Sequence, residues 1–130
     1  MIIDSSAWIE FLRREPADPM RRRVEGALRD EVAALTGPCV MEVLAGARDD
    51  AHMRLLEAVL ARPTFYPVAD EHWAMAVALY RACRRQGETV RKLVDCVIAA
   101  VAIDAGLPVL HADRDFDVLA RHTPLRVVAF

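Results

Sequence analysis

The chain holds one lysine, Lys92, among its 17 basic residues, and only three cysteines. Cys39, Cys83 and Cys96 are odd in number, lack a CxxC spacing and fall in apolar helical patterns. They read as reduced core thiols, which excludes a disulfide framework. Long apolar runs are missing too: none approaches the roughly 20 residues that span a bilayer. The opening MIIDSSAWIEF has no basic leader, and its apolar run breaks at Asp4. The expected compartment is the cytoplasm, with no membrane association. GxxxxGK[ST] and GxGxxG are absent, which argues against nucleotide or dinucleotide binding by those loops. No Ser-His-Asp or Cys-His set can be assembled. An excess of one charge is also lacking: the formal net charge is −2, so an anionic substrate has to be handled locally. Repeats, low-complexity tracts and linkers are absent, and 130 residues are expected to form one domain, 1–130.

What is present is a hydrophobic fraction of 55% and a repeating alternation of short apolar runs with amphipathic helices. The stretch LVDCVIAAVAIDAGLPVLHADRDF, residues 93–116, organises it. Residues 96–103 are apolar throughout, so that helix is expected to be buried on nearly all sides. Gly106 and Pro108 end it, and Val109 and Leu110 begin a strand covered on both faces. Further strands are expected at 1–3, 31–35, 64–68 and 126–130. Pro67 puts the third at a sheet edge. Caps are expected at Asp4, Asp18, Thr36, Asp49 and Asp70. In the helix after Asp70, Trp73, Ala76, Val77 and Tyr80 recur at helical spacing, so Trp73 reads as core and His72 as surface. Strand and helix alternating with short connections imply an α/β protein, a three-layer α/β/α with a central parallel sheet and Rossmann-like topology.

Most of the 19 acidic residues suit caps or polar faces. Asp4, Glu42, Asp95 and Asp113 differ, because each sits at a strand end, at a helix start or inside an apolar run; Asp115 is close by. Strand ends and helix starts share one edge of a parallel sheet, where such folds build their sites. Carboxylates gathered there repel one another unless a cation neutralises them. An all-oxygen set suits Mg²⁺ or Mn²⁺, and the lack of His and Cys in it argues against zinc. Such a cation activates water and offsets charge on a phosphodiester. His111 reads as structural. The basic residues Arg84, Arg85, Arg91 and Lys92 lead directly to Asp95 and are expected to guide an anionic backbone.

The segments MIIDSSAWIEFL, PCVMEVLAG, LVDCVIAAVA and HADRDF, in this order and spacing, closely resemble the PIN-domain ribonucleases, and among them the VapC toxins of VapBC toxin–antitoxin systems. The resemblance covers essentially the whole chain. It implies a PIN-like fold with the first strand near the sheet centre. It also implies Mg²⁺-dependent cleavage of RNA, neutralisation by a cognate VapB-like antitoxin, and frequent homodimers. Asp4, Glu42, Asp95 and Asp113 match the family's catalytic metal site; Asp115 matches an acid that often assists, and Ser6 a hydroxyl that supports the first Asp. Ser5 stands where threonine is usual.

Two alternatives stand beside this reading. One is a metal-dependent phosphatase with Asp4 as nucleophile, although Ser6 occupies the position of the usual second Asp. The other is a receiver-like or interaction module, which would carry fewer acids and a lysine after its last strand. An antitoxin groove is expected near Trp8, Phe11, Leu12, Leu55 and Leu56.

Overall fold

Dipeptides, apolar in every strand but the edge pair Thr64–Phe65, form the sheet. The computed structural model describes residues 1–13 and 18–128. Its strands are β1 (Ile2–Ile3), β2 (Ala34–Leu35), β3 (Thr64–Phe65) and β4 (Val109–Leu110), in the spatial order β3-β2-β1-β4. All pairings are parallel: Ile2 faces Ala34 on one side and Val109 on the other, while Leu35 faces Phe65. β1 and β4 are fully buried, as their unbroken apolar sequence requires. β3 is exposed at the edge, where Pro67 placed it.

The connecting helices are α1 (Ser5–Leu12), α2 (Pro19–Arg29), α3 (Gly37–Ala45), α4 (Asp50–Leu60), α5 (Asp70–Arg85), α6 (Leu93–Ala105) and α7 (Arg114–His122). α1 packs on α2 and α3, and α5 packs on α6 and α7, giving helical groups around the sheet. α6 is the central helix: Cys96, Ile98, Ala99, Ala100 and Ala102 are wholly inaccessible. Its small side chains let neighbours approach closely, and Gly106 ends it at φ 68°, a left-handed conformation that suits glycine. The three cysteines are free and buried, and burial pushes the Cys96 thiol up to about 12. Among the described residues, no helix is long and apolar enough to cross a membrane.

Several expectations need correction. The second strand shrinks to two residues because Glu31 adopts φ 56° in the turn after α2. The third also keeps only two residues, and the last reduces to a parallel bridge between Val127 and Val109. Residues 129–130 of that expected strand lie outside the described residues. Thr36 stands at the N-cap of α3 without a side-chain capping bond. Ala69, not Asp70, is the N-cap of α5. His72 is buried and Trp73 exposed, the reverse of expectation. The reason is that His72 satisfies both ring nitrogens: Nδ1 accepts the Ala69 N–H at 2.8 Å, and Nε2 lies 2.9 Å from Asp104 on α6. With His72, Ala76 and Cys83 turned inward, Trp73 and Val77 face out.

Asp18 caps α2 by accepting the Met20 N–H at 2.7 Å. Asp18→Ala should lower unfolding free energy by about 0.5–2 kcal/mol. Denaturant melts check this, and a change beyond that range would mean that Asp18 does more than cap.

Candidate metal and catalytic site

β1 delivers Asp4 to the carboxyl edge of the sheet, where the residue caps α1. Its Oδ2 accepts the Ser6 N–H at 3.0 Å and also the Ser6 hydroxyl. Its Oδ1 is buried with no hydrogen-bond partner. The cap and functional readings of Asp4 therefore fall on different oxygens of one carboxylate. Ser6 Oγ also accepts the Ala112 N–H at 2.9 Å, tying the start of α1 to the loop after β4.

That loop leads to α7, which Asp113 caps by accepting the Asp115 N–H at 3.0 Å. Asp113 is held by two cations: Arg91 Nη2 donates to Oδ1 at 3.0 Å, and Lys92 Nζ donates to Oδ2 at 2.7 Å. Asp115, almost inaccessible, accepts Arg91 Nε at 3.1 Å and the backbone N–H groups of Arg91 and Lys92 at 3.1 and 3.2 Å. Burial alone would raise the Asp113 carboxyl, but the Asp115 N–H, Lys92 and Arg91 outweigh it and hold that carboxyl below its ordinary value. Of the four residues expected to guide a substrate backbone, Arg91 and Lys92 thus turn inward onto the acids. Arg84 instead lies over the Tyr80 ring at 5.8 Å.

Asp95, in the first turn of α6, is 2% exposed. Burial, and then the charge of Asp4, push its carboxyl up to about 8. Glu42 on α3 is raised by burial and by the charge of Asp4, and the charge of Lys92, then Ser5, oppose the rise. Glu42 Oε1 and Asp95 Oδ2, like Asp4 Oδ1, are buried without a partner. One oxygen each from Asp95, Asp113 and Asp115 lies within 4.8 Å of the others, a separation that a single hard cation can bridge. Orphaned oxygens on three acids, with no imidazole or thiolate among them, fit a cation of the Mg²⁺ type. His111 stays outside the set: its Nδ1 accepts the Asp113 N–H at 3.2 Å and its ring packs on Phe116.

A profile of the PIN domain family matches residues 1–122. The chain belongs to the PIN-domain family. It is 41% identical to Ribonuclease VapC11 of Mycobacterium tuberculosis over all of this chain and 98% of that protein, and equally to VapC ribonuclease Mb1587 of Mycobacterium bovis. Among solved structures, VapBC2 from Rickettsia felis, bound to a promoter DNA fragment, superposes with a TM-score of 0.80 over 99% of this chain and 97% of that one, at 14% identity. VapBC from Salmonella typhimurium, also DNA-bound, gives 0.76 over 98% and 95%, at 18% identity. The phosphatase and receiver-like alternatives find no support in these matches.

Beside the acids, this PIN domain carries an apolar cavity of about 430 Å³ between α1, α3 and α4. Ile9, Leu12, Val43 and Leu56 line it, Arg13 and Arg48 are also in its wall, and Glu42 joins it to the carboxylates. Of the expected groove residues, Leu12 and Leu56 are present. Trp8 is fully buried core, Phe11 packs edge-on to Trp8, and Leu55 lies exposed outside the lining. Ser5, marked in the sequence only as standing where threonine is usual, acts on Glu42 in the structure.

The raised Asp95 carboxyl has a consequence for the PIN domain without metal. It ionises near 3.8 in the unfolded chain and near 8 in the folded one, so folding takes up a proton between those values. The Asp95 contribution to stability therefore falls as pH rises from about 4 to about 8, then levels off. Asp95→Asn should remove that slope. Melts in EDTA at about pH 6 and about pH 8 check it; parallel pH dependence in both proteins would refute the raised value.

Proposed function

We propose that this chain is a metal-dependent endoribonuclease toxin, with Mg²⁺ as its ion, and that a VapB-like antitoxin neutralises it. The observation that carries the reading is the set of three orphaned, buried carboxylate oxygens on Asp4, Glu42 and Asp95. They lie at the strand edge of a chain 41% identical along its length to proteins named as VapC ribonucleases. Asp4, Glu42, Asp95 and Asp113 would hold the ion, with Asp115 alongside. Bound there, Mg²⁺ supplies a Lewis acid that eases ionisation of water and offsets charge at phosphorus.

The protein's own groups do the rest. Ser6 fixes Asp4 by holding its Oδ2, so that Oδ1 stays turned from the cap. Asp115 anchors the 91–92 segment through three N–H groups, which places Lys92 at the site. Burial of Asp95 excludes water from its inner side and makes its charge costly until a cation arrives. The apolar cavity ends at Glu42, so an amphipathic antitoxin segment laid in it would cover the approach to the acids. The face for self-pairing is α5 and α6, where Trp73, Val77 and Leu93 are exposed together.

Asp4→Asn or Asp95→Asn should slow RNA cleavage by at least about 100-fold, a loss typical of removing one charge-stabilising group. Assays with Mg²⁺ and with EDTA decide it; parental cleavage by Asp95→Asn, or cleavage in EDTA, would sink the mechanism. Saturating Mg²⁺ at 100 times its dissociation constant should raise stability by about 2.7 kcal/mol, or on the order of 10 °C in melting temperature. Asp95→Asn should gain much less.

Leu12 is 36% exposed at the cavity, so Leu12→Glu should leave the protein folded. Antitoxin binding should weaken roughly tenfold or more. Co-purification and circular dichroism test both halves. Undiminished binding would move the antitoxin elsewhere.

A further inference from the structure

Asp113 offers one oxygen on which a cation has a claim, and Lys92 already holds it. Oδ1 of Asp113 is engaged twice, by Arg91 Nη2 and by the Asp115 N–H, both at 3.0 Å. Oδ2 is bound by the Lys92 ammonium at 2.7 Å. The same ammonium acts electrostatically on Asp95 and Glu42, so it sits in the field of three of the four acids proposed to hold the ion.

Lys92 is built to let go. Its backbone is fixed, because its N–H donates to the buried Asp115 at 3.2 Å. Its side chain is half exposed, so the head group can swing into solvent without opening the core. Arg91 differs: its guanidinium spans Asp113 and Asp115 together. Residue choice points the same way. Lys92 is the one lysine among 17 basic residues. An ammonium is a compact point charge, comparable to a metal ion in what it asks of a carboxylate, whereas a guanidinium is a flat fork that holds a carboxylate through two bonds.

We infer that Lys92 is a built-in counter-ion which holds Asp113 Oδ2 in the metal-free protein, competes with the divalent cation for that oxygen, and once displaced turns its charge to the phosphate of the RNA. This rests on the metal-dependent nuclease reading above. The tether at Asp115 keeps the released ammonium at the mouth of an acidic pocket, where an anionic substrate otherwise meets repulsion.

Calorimetric titration of the full chain with Mn²⁺ alone tests the first half. K92Q should bind roughly three- to tenfold more tightly than the parent, since an exposed ion pair no longer has to be broken. R114Q is the control: Arg114 is exposed, follows Asp113 directly and has no ion-pair partner among the described residues. It should change Mn²⁺ affinity by less than about twofold, as a screened charge does. K92R should bind Mn²⁺ no more tightly than the parent, because the fork keeps hold of Asp113. At saturating Mn²⁺, K92Q should show a KM for RNA roughly three- to tenfold higher, with kcat changed less. Unchanged or weaker Mn²⁺ binding by K92Q, an equal gain in R114Q, or tighter binding by K92R would each overturn the competition. An unchanged KM would overturn the transfer to phosphate. A parent that binds no Mn²⁺ would overturn the nuclease reading and this inference together, whereas a parent that binds while K92Q gains nothing overturns Lys92 alone.

Discussion

The structure depends on reconciling several desolvated carboxylates at one edge of a small sheet. Asp4, Asp95 and Asp115 are each at most 3% exposed, and Glu42 and Asp113 are next to them in the field. Like charges this close cannot all ionise without compensation. The chain divides the problem. Asp113 and Asp115 receive N–H donors and two cationic side chains, and the Asp113 carboxyl is held low. Asp95 and Glu42 receive far less and are raised. That asymmetry sets Asp113, held low by the N–H and cationic groups around it, apart from Asp95 and Glu42, whose charge burial and Asp4 disfavour.

The fold brings this about through connections that are short and specific. β1 lies between β2 and β4, so the residue after it, Asp4, emerges mid-edge rather than at a margin. Ser6 then crosslinks the starts of two loops by bonding both Asp4 and the Ala112 N–H. α6 starts at that edge, and Asp95 stands buried in its first turn, within reach of the acidic loop that carries Asp113 and Asp115. Each element serves burial and placement at once, so a packing change in α6 is also a change at the site.

Two apolar surfaces remain uncovered among the described residues. The cavity between α1, α3 and α4 opens onto Glu42, while the face formed by α5 and α6 exposes Trp73, Val77 and Leu93. Both lie on helices whose opposite faces complete the core. An amphipathic pattern reports that a helix has an apolar face, not whether that face meets the core or a partner. That is why Trp8 was grouped with a groove although it is core, and Trp73 with the core although it is exposed.

What the sequence by itself determined is everything governed by local chemistry or by a distinctive pattern. Apolar dipeptides followed by caps marked β1 and β4, the unbroken run of α6 announced its burial, and Pro67 marked the edge strand. Positions at strand ends, at helix starts and, for Glu42, inside an apolar run singled out Asp4, Glu42, Asp95 and Asp113, since such positions are costly for charge without a partner. Tertiary structure alone decided the directions of long side chains. Arg91 and Lys92 look like a solvated basic run, yet they fold onto Asp113 and Asp115, which lie more than twenty residues away. His72 turned inward because Asp104, on another helix, was there to receive it. An ion pair of this kind is set by the distance between elements and by the desolvation of both partners, and neither quantity is carried by the local order of residues.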